Sequence, residues 1–238
     1  MYSWLIKNIT DGFVFSGNIK RGELGEVNIY KHKTTGQRII VRDIKDGVEV
    51  YEKLLHIKSQ HLPTIYEVVR KEPNTKDSEA IVVEEFISGI TVGNVLESEH
   101  YNEKGVKVIV KALCDALEVL HNNGIVHRDI KPENIIIDDS GKVYLIDFNA
   151  SRINKGDVAK DTRILGTSGF AAPEQYGISE SDARTDIYSL GVLMNVMLTG
   201  DHPSKNMYKG KLKKVIKKCI NTNPDDRFQN VEDLKMVL

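Results

Sequence analysis

The stretch from His127 to Phe148, HRDIKPENIIIDDSGKVYLIDF, constrains this chain more than any other. It reads as a loop, a strand over Ile135–Ile137, a turn at Asp138–Asp139–Ser140–Gly141 and a second strand over Val143–Ile146. A hairpin of this kind returns Asp147 towards the loop that holds Asp129 and Asn134. Asp129 is a carboxylate able to orient a hydroxyl and accept its proton. Asn134 and Asp147 offer oxygen ligands of the type that hard cations such as Mg²⁺ take. The spacing favours one site that combines a base and a metal. The plain alternative is a loop whose charges face solvent.

With 238 residues the chain suffices for one large domain or two small ones around a substantial core. Its net charge of −1 gives no basic bias towards nucleic acid and no single-sign tail. Cys114 and Cys219 lie far apart in helix-like apolar contexts, which reads as buried free thiols in a reducing, cytoplasmic compartment. The opening MYSWLIKNITDG has too short an apolar run for a signal peptide, and no apolar run suffices to span a bilayer.

Residues 13 to about 87 read as strands with one helix. Strand signals fall at Phe13–Phe15, Val27–Tyr30, Arg38–Ile44, Tyr66–Arg70 and Ala80–Val83, and Val48 to Lys58 has helical spacing. Between the first two strands lies Ile19 to Val27, IKRGELGEV, where Gly22 and Gly25 let a backbone approach an anion closely. Further on, Glu103 to Asn122 forms an amphipathic helix with Val106, Val110, Leu113, Leu117 and Leu120 on one stripe, closed by Asn123–Gly124. His127 is expected as a buried, hydrogen-bonded residue and His121 as unremarkable.

The HRDxKPEN loop followed by Asp147–Phe148 resembles the catalytic loop and metal-binding strand of the Ser/Thr protein kinases, with Asn149 where that family carries Gly. Ala172–Pro173–Glu174, Asp186–Gly191 and Arg227 continue the resemblance in order, so it covers about Phe13 to Leu238 and points to a bacterial member. It implies an α+β, bilobal, protein-kinase-like fold. A small β-rich N-lobe with one helix would span 1–87 and a larger, mainly helical C-lobe 88–238.

By resemblance, Asp129 is the catalytic base, Lys131 steadies the γ-phosphate of ATP, and Asn134 and Asp147 hold Mg²⁺, or Mn²⁺ in its place. Ile19, Gly22, Gly25, Val27 and Ile40 would line the nucleotide, and the backbone of Glu85 and Ile87 would meet the adenine edge, with Glu84 as gatekeeper. Arg42 stands where the family carries a phosphate-binding Lys. It either serves the phosphates or is a surface strand charge, since Arg and Lys are not interchangeable. Its helical partner would be Glu49 or Glu52, Glu49 being favoured. Thr162 falls at the usual phosphorylated position of the activation segment, with Arg128 as receiver of the phosphate, and Thr167 resembles the residue bonding the catalytic Asp and Lys. Asn149 is expected to keep the turn by adopting a left-handed backbone. Arg227 would pair Glu174, and Asp186 would hold the HRD backbone.

The partners implied are ATP and a protein substrate that the sequence does not name, with no nucleic acid and no membrane segment. Two other classes remain open. A nucleotide-binding pseudokinase is supported by Arg42 and Lys20. A small-molecule phosphotransferase of the aminoglycoside type is opposed by the K-P-E-N and A-P-E context.

Overall fold

The computed structural model describes residues 9, 11–20, 26–72, 79–154, 169–176 and 181–238. The chain divides into two compact units, one of Met1–Ser59 with Pro63–Ile87 and one of Gln60–Leu62 with Ser88–Leu238.

The first unit is built on strands β1 (Phe13–Lys20), β2 (Glu26–His32) and β3 (Arg38–Ile44), helix α1 (Val48–Leu54), and strands β4 (Ile65–Arg70) and β5 (Ala80–Glu85). The strands form one five-stranded sheet in the order β1-β2-β3-β5-β4, with antiparallel pairing throughout. Alternation along β3 sorts its side chains between two faces. On one face Ile39 and Val83 are buried with Ile9, and Phe13, Tyr30 and Val41 pack against them.

Helix α1 is shorter than the Val48–Lys58 segment that its spacing predicts. Beyond Leu54 the backbone N–H groups of His56 and Ile57 bond back three residues, to Lys53 and Leu54, which tightens the chain out of α geometry.

The second unit opens with β6 (Gly89–Thr91), α2 (Val92–Leu96) and the long helix α3 (Glu103–Asn122). Strands β7 (Ile125–Val126), β8 (Ile135–Asp138), β9 (Val143–Leu145) and β10 (Arg152–Ile153) follow, then α4 (Ala183–Thr199), α5 (Lys213–Cys219) and α6 (Val231–Met236). The strands make a three-stranded sheet in the order β6-β8-β9 and a two-stranded one of β7 with β10.

Helix α3 has the bounds and the buried stripe that its periodicity predicts. Asn102 caps it, its side chain accepting from the Gly105 N–H at 2.9 Å, and Gly124, with φ 69°, turns the chain out of it. Each fully buried aliphatic side chain on that stripe contributes about 1.5–3 kcal/mol. Helix α4 begins at Ala183, where Asp182 and Thr185 form a capping box. Eleven of its residues are buried, so it runs through the unit's interior. Cys114 and Cys219 are free and buried. Burial raises the pKa of Cys114 to about 12 and pushes that of Cys219 up as well.

Candidate active site

The loop before β8 gathers three polar side chains. A short 3₁₀ turn at Pro132–Asn134 brings Asn134 back over Asp129. There the Asn134 Nδ2 donates to the Asp129 main-chain oxygen at 2.9 Å and to its Oδ2 at 2.8 Å. Lys131 Nζ sits 2.7 Å from the same Oδ2. The Asp129 and Lys131 side chains stay partly accessible, at 14% and 21%, while Asn134 is buried. The Asn134 carbonyl accepts from the Ile146 N–H at 2.9 Å, which ties the end of the β8–β9 hairpin to the loop immediately before Asp147.

The loop is held from beneath by Asp186 on α4, which is fully buried. Its carboxylate accepts from the backbone N–H of His127 at 2.9 Å and of Arg128 at 2.8 Å, and contacts His121 Nε2 at 2.8 Å. Burial alone would raise its pKa. The hydrogen bond and charge of His121, the charge of His127 and the Arg128 N–H outweigh burial and hold it below the usual carboxylate range. Gln175 Nε2 donates to the Arg128 carbonyl at 2.9 Å, and Ser151 Oγ to the His127 carbonyl at 3.1 Å. The His127 ring meets Phe148 edge-on, with centroids 5.5 Å apart. Burial lowers the pKa of His127 against the opposing pull of Asp186, Asp129 and Asp147.

Among the described residues, the non-glycine residues with positive φ are Arg128, at 70°, and Asp147, at 72°. Left-handed backbone at such residues is uncommon and persists where neighbours over-determine it. At Arg128 the fixing groups are Asp186 on its N–H and Gln175 on its carbonyl. The expectation for Asn149 is corrected here: the left-handed turn is made by Asp147, so Asn149 is not asked to imitate glycine. Its N–H approaches Asp147 Oδ1 at 3.5 Å instead.

Sequence reasoning also passed over His121, which the structure corrects. It sits four residues after Leu117, at the edge of the α3 stripe, and that spacing aims it at the buried Asp186. Gln175 was missed outright, since a single Gln after A-P-E carries no pattern. The pair expected of Arg227 and Glu174 is present, bidentate and buried, at 2.7 and 2.9 Å, and Thr185 Oγ1 donates to the same carboxylate.

Asn134 spends its amide nitrogen on Asp129, so the polar atom it can offer a cation is an oxygen, and Asp147 adds a carboxylate. These donors fit Mg²⁺. Among the described residues no three His, Cys, Asp or Glu side chains gather into a metal nest. A cation here would thus complete its shell with phosphate and water oxygens.

In the first unit the strand registers set Val27 and Val82 opposite Arg42, and Ile40 opposite Glu84. Opposed residues, and those two apart on a strand, share a face, so Val27, Ile40, Arg42 and Glu84 lie together. Arg42 is buried, which removes the surface-charge reading. Its guanidinium forms an ion pair with Glu84, and Nη1 approaches the Tyr51 hydroxyl of α1 at 3.5 Å. Glu52 is gripped at both oxygens by Arg70, at 2.7 and 2.8 Å, joining α1 to β4, and this partner holds its pKa down. Glu49 is exposed in the first turn of α1. Ile19 pairs with Val27 across β1 and β2, while Glu85 closes β5 and Ile87 is buried just beyond it. Gly22, Gly25, Thr162 and Thr167 lie outside the described residues.

Comparison with known proteins places these features in a family. The protein kinase domain matches residues 13–235. The chain is 33% identical over 200 residues to the serine/threonine-protein kinase PEPKR2 of Arabidopsis thaliana, covering 83% of this chain and 42% of that protein. It is 30% identical over 230 residues to serine/threonine-protein kinase D of Synechocystis, covering 87% and 44%. To the serine/threonine-protein kinase PknB of Mycobacterium tuberculosis it is 30% identical over 182 residues, covering 65% and 29%. The chain thus spans less than half the length of these relatives. No helix among the described residues is long and apolar enough to cross a membrane.

Proposed function

The chain belongs to the protein kinase family, and on that premise we propose that it transfers the γ-phosphate of ATP to a Ser or Thr hydroxyl of a protein. Asp129 orients the hydroxyl and takes its proton as the oxygen bonds to the γ-phosphorus and the bond to the β-phosphate oxygen breaks. Lys131, held against Asp129, steadies the transferring phosphate. Asn134 and Asp147 hold Mg²⁺, or Mn²⁺ in its place, whose charge offsets that of the phosphates. Ile19, Gly22, Gly25, Val27 and Ile40 line the nucleotide, Glu85 and Ile87 meet the adenine through their backbone, and Arg42 supplies a cation to the phosphates. Glu49 acts as a second carboxylate near that cation. The two buried thiols are consistent with a reducing, cytoplasmic compartment.

The observation that carries this reading is the cluster in which Lys131 and Asn134 each reach Asp129 within 2.9 Å, clamped through Ile146 to the segment that leads into Asp147. Such preorganised charge is what phosphoryl transfer asks of a protein. A labelled-ATP assay on a generic protein substrate tests it: the chain labels Ser or Thr. The absence of labelling from an enzyme that binds MgATP refutes it.

A pseudokinase remains the second reading, because Arg42 spends charge on Glu84. It expects nucleotide binding with no transfer. Thr162 and Thr167 serve the activation segment, with Thr162 the site of self-phosphorylation. Mass spectrometry after incubation with MgATP is expected to find phosphate on that segment.

A further inference from the structure

We infer that the groove along the N-terminal half of α3 docks an acidic peptide segment of a partner protein, one with an apolar side chain among its carboxylates. The inference concerns binding alone and stands or falls independently of the transfer reading.

The groove encloses about 380 Å³ and is lined by Glu103, Lys104, Lys107, Val108 and Lys111 of α3, by Lys211 and by Leu238. Lys104, Lys107 and Lys111 recur at spacings of three and four residues, so they stack along one helix face. With Lys211, four lysines line one cavity in a chain whose net charge is only −1. Such a concentration of one sign focuses a field that draws in the other.

Acidic groups beside these lysines have work elsewhere. Glu103 Oε1 accepts from the Tyr208 hydroxyl at 3.0 Å, the Lys211 N–H at 2.7 Å and the Leu212 N–H at 3.3 Å. Asp115, one turn beyond Lys111, pairs with Lys235 of α6. The bonds of Glu103 also tie the segment around Lys211 to α3. That segment is anchored in turn by Asn195 of α4, which is buried. Its Oδ1 accepts from the Tyr208 N–H at 2.9 Å, and its Nδ2 donates to the carbonyls of Asp201 and Asn206, each at 2.8 Å. The groove is therefore preformed, which lowers the cost of filling it.

Apolar surface decides the kind of occupant. Val108 is 56% exposed and shares the cavity with Leu238. A small anion gains nothing from that lining, and a bilayer is flat where this site is concave. An acidic peptide uses both features, carboxylates against the lysines and one apolar side chain against Val108 and Leu238. The position suits a docking role. His121, near the other end of α3, contacts the Asp186 that holds the catalytic loop, and Lys107 lies about 21 Å along the helix axis from it. A segment bound here leaves the catalytic loop open and raises the effective concentration of whatever it is joined to.

The test follows the fluorescence anisotropy of a labelled peptide of mixed Asp and Glu with a central Leu, titrated with the whole chain. Saturable binding that weakens with salt is expected. Lys107→Glu with Lys111→Glu should weaken it roughly tenfold or more, and so should Lys104→Glu with Lys211→Glu. The two pairs are independent, and thermal unfolding of each shows that the fold is kept. Lys217→Glu, exposed on α5 and outside the groove, should stay within about twofold of the parent. A peptide with Ala in place of its Leu should bind about threefold weaker or more.

Absence of saturable binding would overturn the inference. A Lys217→Glu loss equal to that of the groove pairs would do the same, since it would mark diffuse charge. Equal affinity for the Leu and Ala peptides would remove the apolar contact and the groove with it. Capture of the chain by phosphatidylserine vesicles but not by the peptide would make this face a membrane surface instead.

Discussion

The loop of the second unit and the face of the first unit's sheet each present charged groups, and they are held by different means. Asp129, Lys131 and Asn134 brace one another, and Asp186 on α4 grips the backbone beneath them. Arg42 is paired with a buried carboxylate on a neighbouring strand. In the loop, removing one group leaves other bonds in place, and the backbone stays fixed by α4. In the sheet, removing Glu84 or Arg42 takes from a buried charge its ion-pair partner on the next strand. Chemistry placed on the loop is buffered structurally, whereas the Arg42–Glu84 pair sets one buried charge against another.

The largest expected effect sharpens that contrast. Asp147→Asn should cost at least about a hundredfold in transfer rate while moving the thermal midpoint little, because Asp147 is half-buried and its hairpin is anchored through Ile146. Loss of folding instead would show that the loop lacks the buffering described.

Next comes Arg227→Ala, which breaks a bidentate pair whose two side chains are 0% and 4% exposed. It should cost about 3–5 kcal/mol of stability in a denaturant titration, and an apolar replacement of both Arg227 and Glu174 should cost less. If the double replacement is the worse of the two, the pair does more than cancel buried charge. Gly191→Ala probes packing on α4. The new Cβ would meet the Cys219 Cβ at 2.5 Å and the Ile220 Cγ2 at 2.7 Å, with an expected loss of about 1–3 kcal/mol.

The smallest effect is a pH slope. His127 is buried with a lowered pKa. An unfolded chain binds that proton near about pH 6.5, while the folded chain does so only at lower pH. The contribution of this group is therefore complete above about pH 6.5 and is lost as pH falls below it, by at most about 1.4 kcal/mol per pH unit. His127→Phe should flatten this part of the curve between pH 7.5 and pH 5.5, followed by urea unfolding. An unchanged slope would assign it to other groups.

How much of this was legible in sequence follows from the kind of signal each feature leaves. Helix α3 was readable to its ends, because a long apolar stripe and its caps are local patterns. So was the β8–β9 hairpin, whose turn residues announce themselves. Asp186 and Arg227 were found by family resemblance, not by pattern. The end of α1 was misjudged, because its spacing continues past the point where the backbone tightens. His121 was dismissed, since a lone His near a helix end gives no sign of the carboxylate it meets 65 residues later. The Arg42–Glu84 pair hid for the same reason. It is created by strand pairing across 42 residues, and no local spacing encodes it. Asn149 was assigned a backbone role that belongs to Asp147, because sequence alone does not show which residue of a turn takes the left-handed position.

The most direct test of the account is transfer of labelled phosphate from ATP to protein, measured for the parent and for Asp129→Asn, with the modified residue mapped. The account predicts labelling on Ser or Thr by the parent and a fall of at least about a hundredfold in the variant. Equal labelling by the two proteins would contradict it.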